Sequence, residues 1–244
     1  MKVVRQADGS PEIFATLQGE GPSIGSPAVF LRLSLCNLHC QWCDTPYTWN
    51  WKGTPWSHDS VKKYDKHLEI IELEPPSLSD LLKRLDLPRL IITGGEPLLQ
   101  DAAIVDLLAH LGGHFPFIEI ETNGTRRPSP ALAEQVTQFN VSPKLSNSGN
   151  DASLRLNREV LSWFGTAPSA FFKFVVADPR DLDEVKSLIA DYGIPSSKVI
   201  LMPEGRSSSI LHERARWLAP LCQQNGFRLG DRLHVHLWGD ERGR

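Results

Sequence analysis

Cys36-Asn-Leu-His-Cys40-Gln-Trp-Cys43 follows directly on Val29-Phe-Leu-Arg-Leu-Ser-Leu35. The second stretch alternates: Val29, Leu31, Leu33 and Leu35 share one face, and Arg32 and Ser34 the other, which predicts a strand. The loop after it holds three of the chain's four cysteines in C-x3-C-x2-C spacing, and Cys222 lies far away in a helical pattern. A disulfide framework spreads its cysteines through a chain, whereas this cluster points to metal or redox chemistry in a reducing, cytoplasmic compartment. Thiolates bind iron or zinc, and so short a spacing lets one loop wrap three corners of a metal centre. A [4Fe–4S] cluster normally takes four cysteines, so three leave one iron open to a small molecule. Cys222 reads as a buried thiol and not as the fourth ligand. The alternative is a structural zinc site completed by His39 or a distant histidine, but zinc motifs usually come as two separated pairs.

Outward from this loop the chain alternates between strand-like and helix-like segments. Strands are expected at 90–93, 117–121, around Val141, at 170–176, 198–202 and 233–238. Helices are expected after an N-cap at Ser79, then at 101–111, 130–139, 158–164, 182–192 and about 210–225, where Pro220 should bend or interrupt the last. Pro75-Pro76 reads as a stop. Such alternation implies parallel strands with right-handed crossovers. About seven units fall short of a closed eightfold barrel. The expected fold is α/β, a partial, open parallel β/α barrel, with a doubly wound sheet as the alternative. The polar and Gly-rich motifs Gly94-Gly95-Glu96-Pro97, Thr122-Asn123-Gly124, Ser142-Pro143-Lys144 and Pro203-Glu204-Gly205 each follow a proposed strand, as the cysteine loop does. In a parallel barrel those ends form one rim, where an active site belongs.

The chain has 244 residues, 41% of them hydrophobic and 23% charged, with a net charge of −3. That composition excludes a disordered chain and gives no global electrostatic case for nucleic acid. No apolar run is long enough to span a bilayer, and no secretory signal is apparent. One domain, 1–244, is expected, with an irregular, Trp-rich insertion at about 45–76.

The cysteine loop after a first strand, together with Gly94-Gly95-Glu96-Pro97 after the next, resembles the radical S-adenosylmethionine superfamily. The stretch Glu12-Ile-Phe-Ala-Thr-Leu-Gln-Gly-Glu-Gly21, then Gly25-Ser-Pro27, Arg32, Asp44-Thr45-Pro-Tyr47-Thr-Trp49 and Ser142-Pro143-Lys144 narrow this. Together they are similar to the 7-carboxy-7-deazaguanine synthase family of the queuosine and deazapurine pathways. The resemblance is densest over 12–49 and weakest over 50–88 and the C-terminus.

The resemblance implies an abbreviated barrel, a homodimer, and three cofactors: a [4Fe–4S] cluster, S-adenosylmethionine and Mg²⁺. It implies radical-mediated ring contraction of 6-carboxy-5,6,7,8-tetrahydropterin to 7-carboxy-7-deazaguanine with loss of ammonia. The electron would come from a donor such as a flavodoxin or ferredoxin. A radical activase of a partner glycyl-radical enzyme would share the cysteine and Gly-Gly-Glu motifs but not the set of Gln18, Arg32 and Thr45.

Carried over residue by residue, Cys36, Cys40 and Cys43 hold the cluster, and Thr45 offers a hard oxygen to Mg²⁺. Trp42, Cys43, Asp44, Gly95, Glu96, Ser142, Pro143, Lys144, Met202, Pro203, Glu204 and Gly205 meet S-adenosylmethionine. Leu17, Gln18, Gly19, Glu20, Arg32, Thr93 and Arg244 meet the pterin, with the Arg32 guanidinium suited to its carboxylate. His234 and His236 are expected on one face of a last strand, with no catalytic role assigned.

Overall fold

The computed structural model describes residues 1–243 of the chain. The strands are β1 (Lys2–Val4), β2 (Ile13–Leu17), β3 (Pro27–Leu33), β4 (Ile70–Glu72), β5 (Arg89–Gly94), β6 (Phe117–Thr122), β7 (Gln138–Val141), β8 (Ala170–Val176), β9 (Val199–Pro203) and β10 (Arg228–Leu229). The helices are α1 (Lys66–Glu69), α2 (Pro75–Leu82), α3 (Asp101–Leu111), α4 (Pro130–Ala133), α5 (Ala152–Arg155), α6 (Arg158–Thr166), α7 (Asp181–Tyr192), α8 (Ser208–Asn225) and α9 (Leu233–Trp238).

One sheet runs in the order β10-β9-β8-β7-β6-β5-β3-β1-β4, with β2 also on β3. From β3 through β10 every neighbouring pair is parallel. β1 is antiparallel to β3 and β4, and β2 is antiparallel to β3. The sheet has two edges and does not close, which makes this the expected partial barrel.

Parallel strands covered by helices on both faces read as near-continuous apolar runs. These instead alternate. Leu31, Leu33, Leu90, Ile92, Ile118, Ile120, Phe139, Val141, Phe172 and Phe174 face outward into a single core with Ile104 and Leu107 of α3, Leu161 and Phe164 of α6, and Val185 and Leu188 of α7. Each such side chain contributes about 1.5–3 kcal/mol when fully buried. The residues between them, Arg32, Thr93, Glu119, Glu121, Gln138, Asn140 and Lys173, face the other way. Register aligns Arg32 with Thr93, Glu119 with Gln138, and Glu121 with Asn140. One face of the sheet is therefore apolar, and the other is largely polar apart from a small cluster of Ala28, Phe30 and Ile91 with Phe14.

Several elements depart from the sequence expectation. Pro75 starts α2 and does not stop anything, because proline suits the first helical position, where its missing N–H goes unused. Ser79 lies inside that helix, and its N-cap is Glu74. Helix 130–139 shrinks to one turn, α4, since Gln138–Val141 is taken by pairing between β6 and β8. The segment expected as a last strand is helix α9, so His234 and His236 point to different sides. Leu-His-Val-His is too short for its period to decide between helix and strand. α8 runs continuously through Pro220. Strands β1, β2, β4 and β10 were not expected. The insertion is not wholly irregular: it ends in α1 and β4, which pairs with β1 and returns the chain to the sheet edge.

Candidate active site

The C-terminal ends of β3, β5, β6, β7, β8 and β9 open on one cavity. It is lined by all three clustered cysteines and by Trp42, Asp44, Thr45, Thr93, Gly95, Ser142, Lys144 and the run Met202–Gly205. Leu17, Gln18, Gly19, Glu20 and Arg32 line it too. Five motifs separated in sequence are thus brought together. Glu96 and Pro143 do not line the cavity, and Arg244 lies outside the described residues.

The cysteine loop is built to hold charge at its sulfurs. The Leu38 amide donates toward Cys36 Sγ at 3.5 Å, and Asn150 Nδ2 donates toward Cys40 Sγ at 3.3 Å. Asn123 Nδ2 lies 4.0 Å from Cys36 Sγ, and Thr45 Oγ1 lies 3.6 Å from Cys43 Sγ. Burial pushes the Cys36 and Cys43 thiols up, and the Cys40 thiol up to about 12. Left alone, the trio is neutral; a bound cation would hold the sulfurs as thiolates, and the N–H donors suit that state. No group of three or more His, Cys, Asp or Glu among the described residues is close enough to hold a single metal ion. His39 stacks on Trp56 at 3.7 Å instead of turning to the sulfurs, which disfavours the zinc alternative. The donor set fits the corners of a multi-iron cluster.

The loop has a roof from the insertion. His58 is buried and its Nε2 sits 2.7 Å from the Cys43 carbonyl. Trp49 packs edge-on to His39, Trp56 and His58. The Lys63 ammonium ties this segment together by donating to Asn50 Oδ1 at 2.7 Å and to the carbonyls of Thr54 and Trp56.

Beside the cysteines, Gly94 has φ of +134°, and a Cβ there would strike the Leu33 backbone; one on Gly95 would strike the Leu35 carbonyl. Glycine at both positions lets the chain end of β5 lie flat against the cysteine loop, leaving backbone exposed to a ligand. Glu96 is fully buried, and its carboxylate accepts from the amides of Leu98 and Asn123 and from the Thr122 hydroxyl. It joins the ends of β5 and β6 and orients the Gly-Gly turn. On the far side Lys144 Nζ donates to Ser142 Oγ at 2.8 Å, and Trp42 Nε1 donates to the Asn147 carbonyl at 3.0 Å.

The opposite wall is ionic. Glu20 is paired with both Lys173 and Arg232, and Arg232 also binds Asp44 and the Gly205 carbonyl. Burial alone would push Glu20 up, but Lys173 and Arg232 outweigh it and hold the carboxyl well below the usual carboxylate range. Deeper, Gln18 Nε2 donates to Glu119 at 2.6 Å and Glu121 at 3.1 Å, and the Thr93 hydroxyl donates to Glu121 at 2.8 Å. Burial pushes Glu119 up. Gly19 packs so closely on the His234 ring that a Cβ would overlap it. Lys173, Glu121, Asn140, Arg232 and His234 line the cavity and were not singled out as site residues. Lys173 had a signal, a lone charge in the apolar run Ala-Phe-Phe-Lys-Phe-Val-Val, and Glu121 had one in the alternation of Ile-Glu-Ile-Glu. Arg232 had none.

Residues 17–126 match the family described as a 4Fe-4S single cluster domain. The 7-carboxy-7-deazaguanine synthase of Pyrobaculum aerophilum is 36% identical, with 96% of each chain covered. That of Hyperthermus butylicus is 38% identical over 92% of this chain and 90% of its own. The crystal structure of QueE from Escherichia coli superposes with a TM-score of 0.67 at 27% identity, covering 96% of this chain and 95% of that one. With likeness of that extent along nearly its whole length, the chain belongs to the 7-carboxy-7-deazaguanine synthase family of radical S-adenosylmethionine lyases.

Proposed function

We propose that the cavity is divided between two ligands: S-adenosylmethionine beside the cysteine loop, and 6-carboxy-5,6,7,8-tetrahydropterin against the ionic wall and polar sheet face. The single observation that carries this reading is the chemical split of one cavity: three clustered thiols at one side, and Gln18, Arg32, Glu121, Lys173 and Arg232 at the other. The reaction is ring contraction to 7-carboxy-7-deazaguanine with release of ammonia.

Cys36, Cys40 and Cys43 hold the [4Fe–4S] cluster. S-adenosylmethionine bound there supplies, on one-electron reduction, the radical chemistry that removes an unactivated hydrogen. The protein's own part is to hold and to exclude. Gly95 presents backbone to the methionine end of the cofactor. Ser142 and Lys144 donate to it, Trp42 and Asp44 flank it, and Met202, Pro203, Glu204 and Gly205 receive the adenine. Arg32 holds the pterin carboxylate through its guanidinium fork. Leu17, Gln18, Gly19, Glu20 and Thr93 meet the ring, and the polar sheet face offers both donors and acceptors for an amino-pyrimidinone edge. Thr45, buried beside Cys43, would offer its hydroxyl to Mg²⁺, a hard cation suited to an oxygen ligand and to holding the anionic substrate in place. An acidic one-electron carrier such as a flavodoxin or ferredoxin serves as donor, and the working form is a homodimer. A radical activase would leave the polar sheet face without a use.

The test is anaerobic reconstitution followed by incubation with the pterin, S-adenosylmethionine, Mg²⁺ and dithionite. The expected outcome is about four irons per chain and formation of the deazapurine. An intact cluster that cleaves S-adenosylmethionine but forms no deazapurine would refute the substrate assignment. Stoichiometric zinc without iron would refute the cofactor assignment.

A further inference from the structure

Arg32 uses one edge of its guanidinium inside the protein. Its Nε donates to Glu12 Oε1 at 2.6 Å. No acceptor among the described residues takes the hydrogens of its two terminal nitrogens, and the side chain lines the cavity. Glu12 is fully buried, and its other oxygen accepts from Arg242 Nε at 2.7 Å. Arg242 comes from the segment after α9 and is itself fixed. Its Nη1 donates to Glu69 at 3.2 Å, its Nη2 to the Arg5 carbonyl at 2.5 Å, and its guanidinium lies 3.9 Å over the Tyr47 ring.

The charge arithmetic gives this chain of contacts a purpose. A buried carboxylate paired with one arginine cancels its charge, and the arginine then attracts an anion weakly. Here Glu12 and Glu69 carry two negative charges against Arg32 and Arg242, so the group is neutral with Arg242 in place and would hold one excess negative charge beside Arg32 without it. Geometry and charge act together: Glu12 grips the side of Arg32, so the end of the fork faces the cavity, where bidentate contact with a carboxylate is possible.

We propose that Glu12 and Arg242 are positioning residues for the substrate carboxylate, Glu12 by aiming the Arg32 fork and Arg242 by neutralising Glu12 so that Arg32 keeps its pull on an anion. The inference rests on the reading of Arg32 as the carboxylate holder. It makes the segment after α9, which touches neither ligand through Arg242, a determinant of selectivity for the carboxylated pterin.

The experiment is equilibrium binding of two ligands to the cluster-loaded protein by anaerobic calorimetry: 6-carboxytetrahydropterin, and 6-methyltetrahydropterin, which lacks the carboxylate. Arg32→Ala should weaken the first by about a hundredfold and the second little, since a charge-assisted pair is lost. Arg242→Ala should weaken the first by about tenfold, again sparing the second, while Arg242→Lys, which restores the charge, should recover most of the loss. Glu12→Gln, which keeps an acceptor for Nε and removes the negative charge, should bind the first ligand no more weakly than wild type, and the double variant Glu12→Gln/Arg242→Ala should recover most of the loss seen in Arg242→Ala; a loss in Glu12→Gln as large as that in Arg242→Ala would overturn the charge argument. In turnover, KM for the pterin should rise for Arg242→Ala with kcat nearly unchanged. Equal weakening of both ligands by Arg242→Ala, or no weakening, overturns the positioning role while leaving Arg32 in place. If Arg32→Ala itself fails to distinguish the two ligands, the reading of Arg32 falls, and the inference with it.

Discussion

The cysteine loop and the segment after β9 form facing walls of one cavity, yet they are specified in opposite ways. The loop carries its three sulfur ligands within eight residues of sequence, and only the side chains that brace it, such as Asn150 on Cys40, come from far along the chain. The other wall is assembled from a distance: Arg232 reaches Glu20 across 212 positions and Asp44 across 188, and Arg242 reaches Glu12 across 230. The cofactor's chemistry is rigid and is met by a local pattern. The substrate's charge and shape are met by side chains whose partners are fixed only once the sheet has formed.

The largest expected effect breaks the local wall. Replacing any one of Cys36, Cys40 or Cys43 with Ala should abolish turnover and the visible absorption of the reconstituted protein, whereas Cys222→Ala, in α8, should leave both intact. Equal loss at all four would remove the distinction between a dedicated loop and a bystander thiol.

A smaller effect probes the distant wall. Arg232→Ala leaves Asp44, which is exposed, and Glu20, which is only partly buried and keeps Lys173. The expected cost is about 2 kcal/mol in urea unfolding, below the usual 3–5 kcal/mol for breaking a buried pair because one partner stays and another is solvated. The sign with pH follows from Glu20, whose carboxyl is held low by Lys173 and Arg232 against the opposing effect of burial. Its contribution is complete above the ordinary carboxylate range and is lost as the pH falls toward the folded value. The gap between wild type and Arg232→Ala should therefore be widest above about pH 5 and narrow on acidification below about pH 4. A gap that widens in acid would place the stabilisation elsewhere.

The smallest effect sits where the walls meet. Thr45→Ser keeps a hydroxyl and should preserve the response of turnover to Mg²⁺, with activity within about threefold of wild type. Loss of any metal response with the hydroxyl retained would argue against ligation there.

The same division explains what could be read from the chain before its fold was known. The loop, the Gly94-Gly95 turn and the helices 101–111 and 182–192 are written in spacing, caps and a 3.6-residue period, and they stand as expected. The misread elements are those where tertiary pairing overrides a short pattern. Gln138 and Phe139 looked like the end of a helix, with a strand only around Val141, until the neighbours β6 and β8 claimed the whole of Gln138–Val141. Leu-His-Val-His looked like a strand, yet it forms α9, whose first amide, that of Leu233, donates to the Gly19 carbonyl. The polar sheet face was legible in principle, since Glu119 and Glu121 alternate with isoleucines. Arg232 was not, because an arginine in a polar stretch carries no mark of the carboxylates it will meet.

The Lys63 ammonium has one more consequence. It fastens the stretch from Asn50 to Trp56 through polar bonds, while the apolar interior that secures the sheet lies elsewhere. Trp49 and Trp51 of the same insertion are buried, but a stretch held this far by polar bonds is expected to open locally more readily than the sheet. Amide hydrogens there should exchange with solvent sooner than those of β5 or β6.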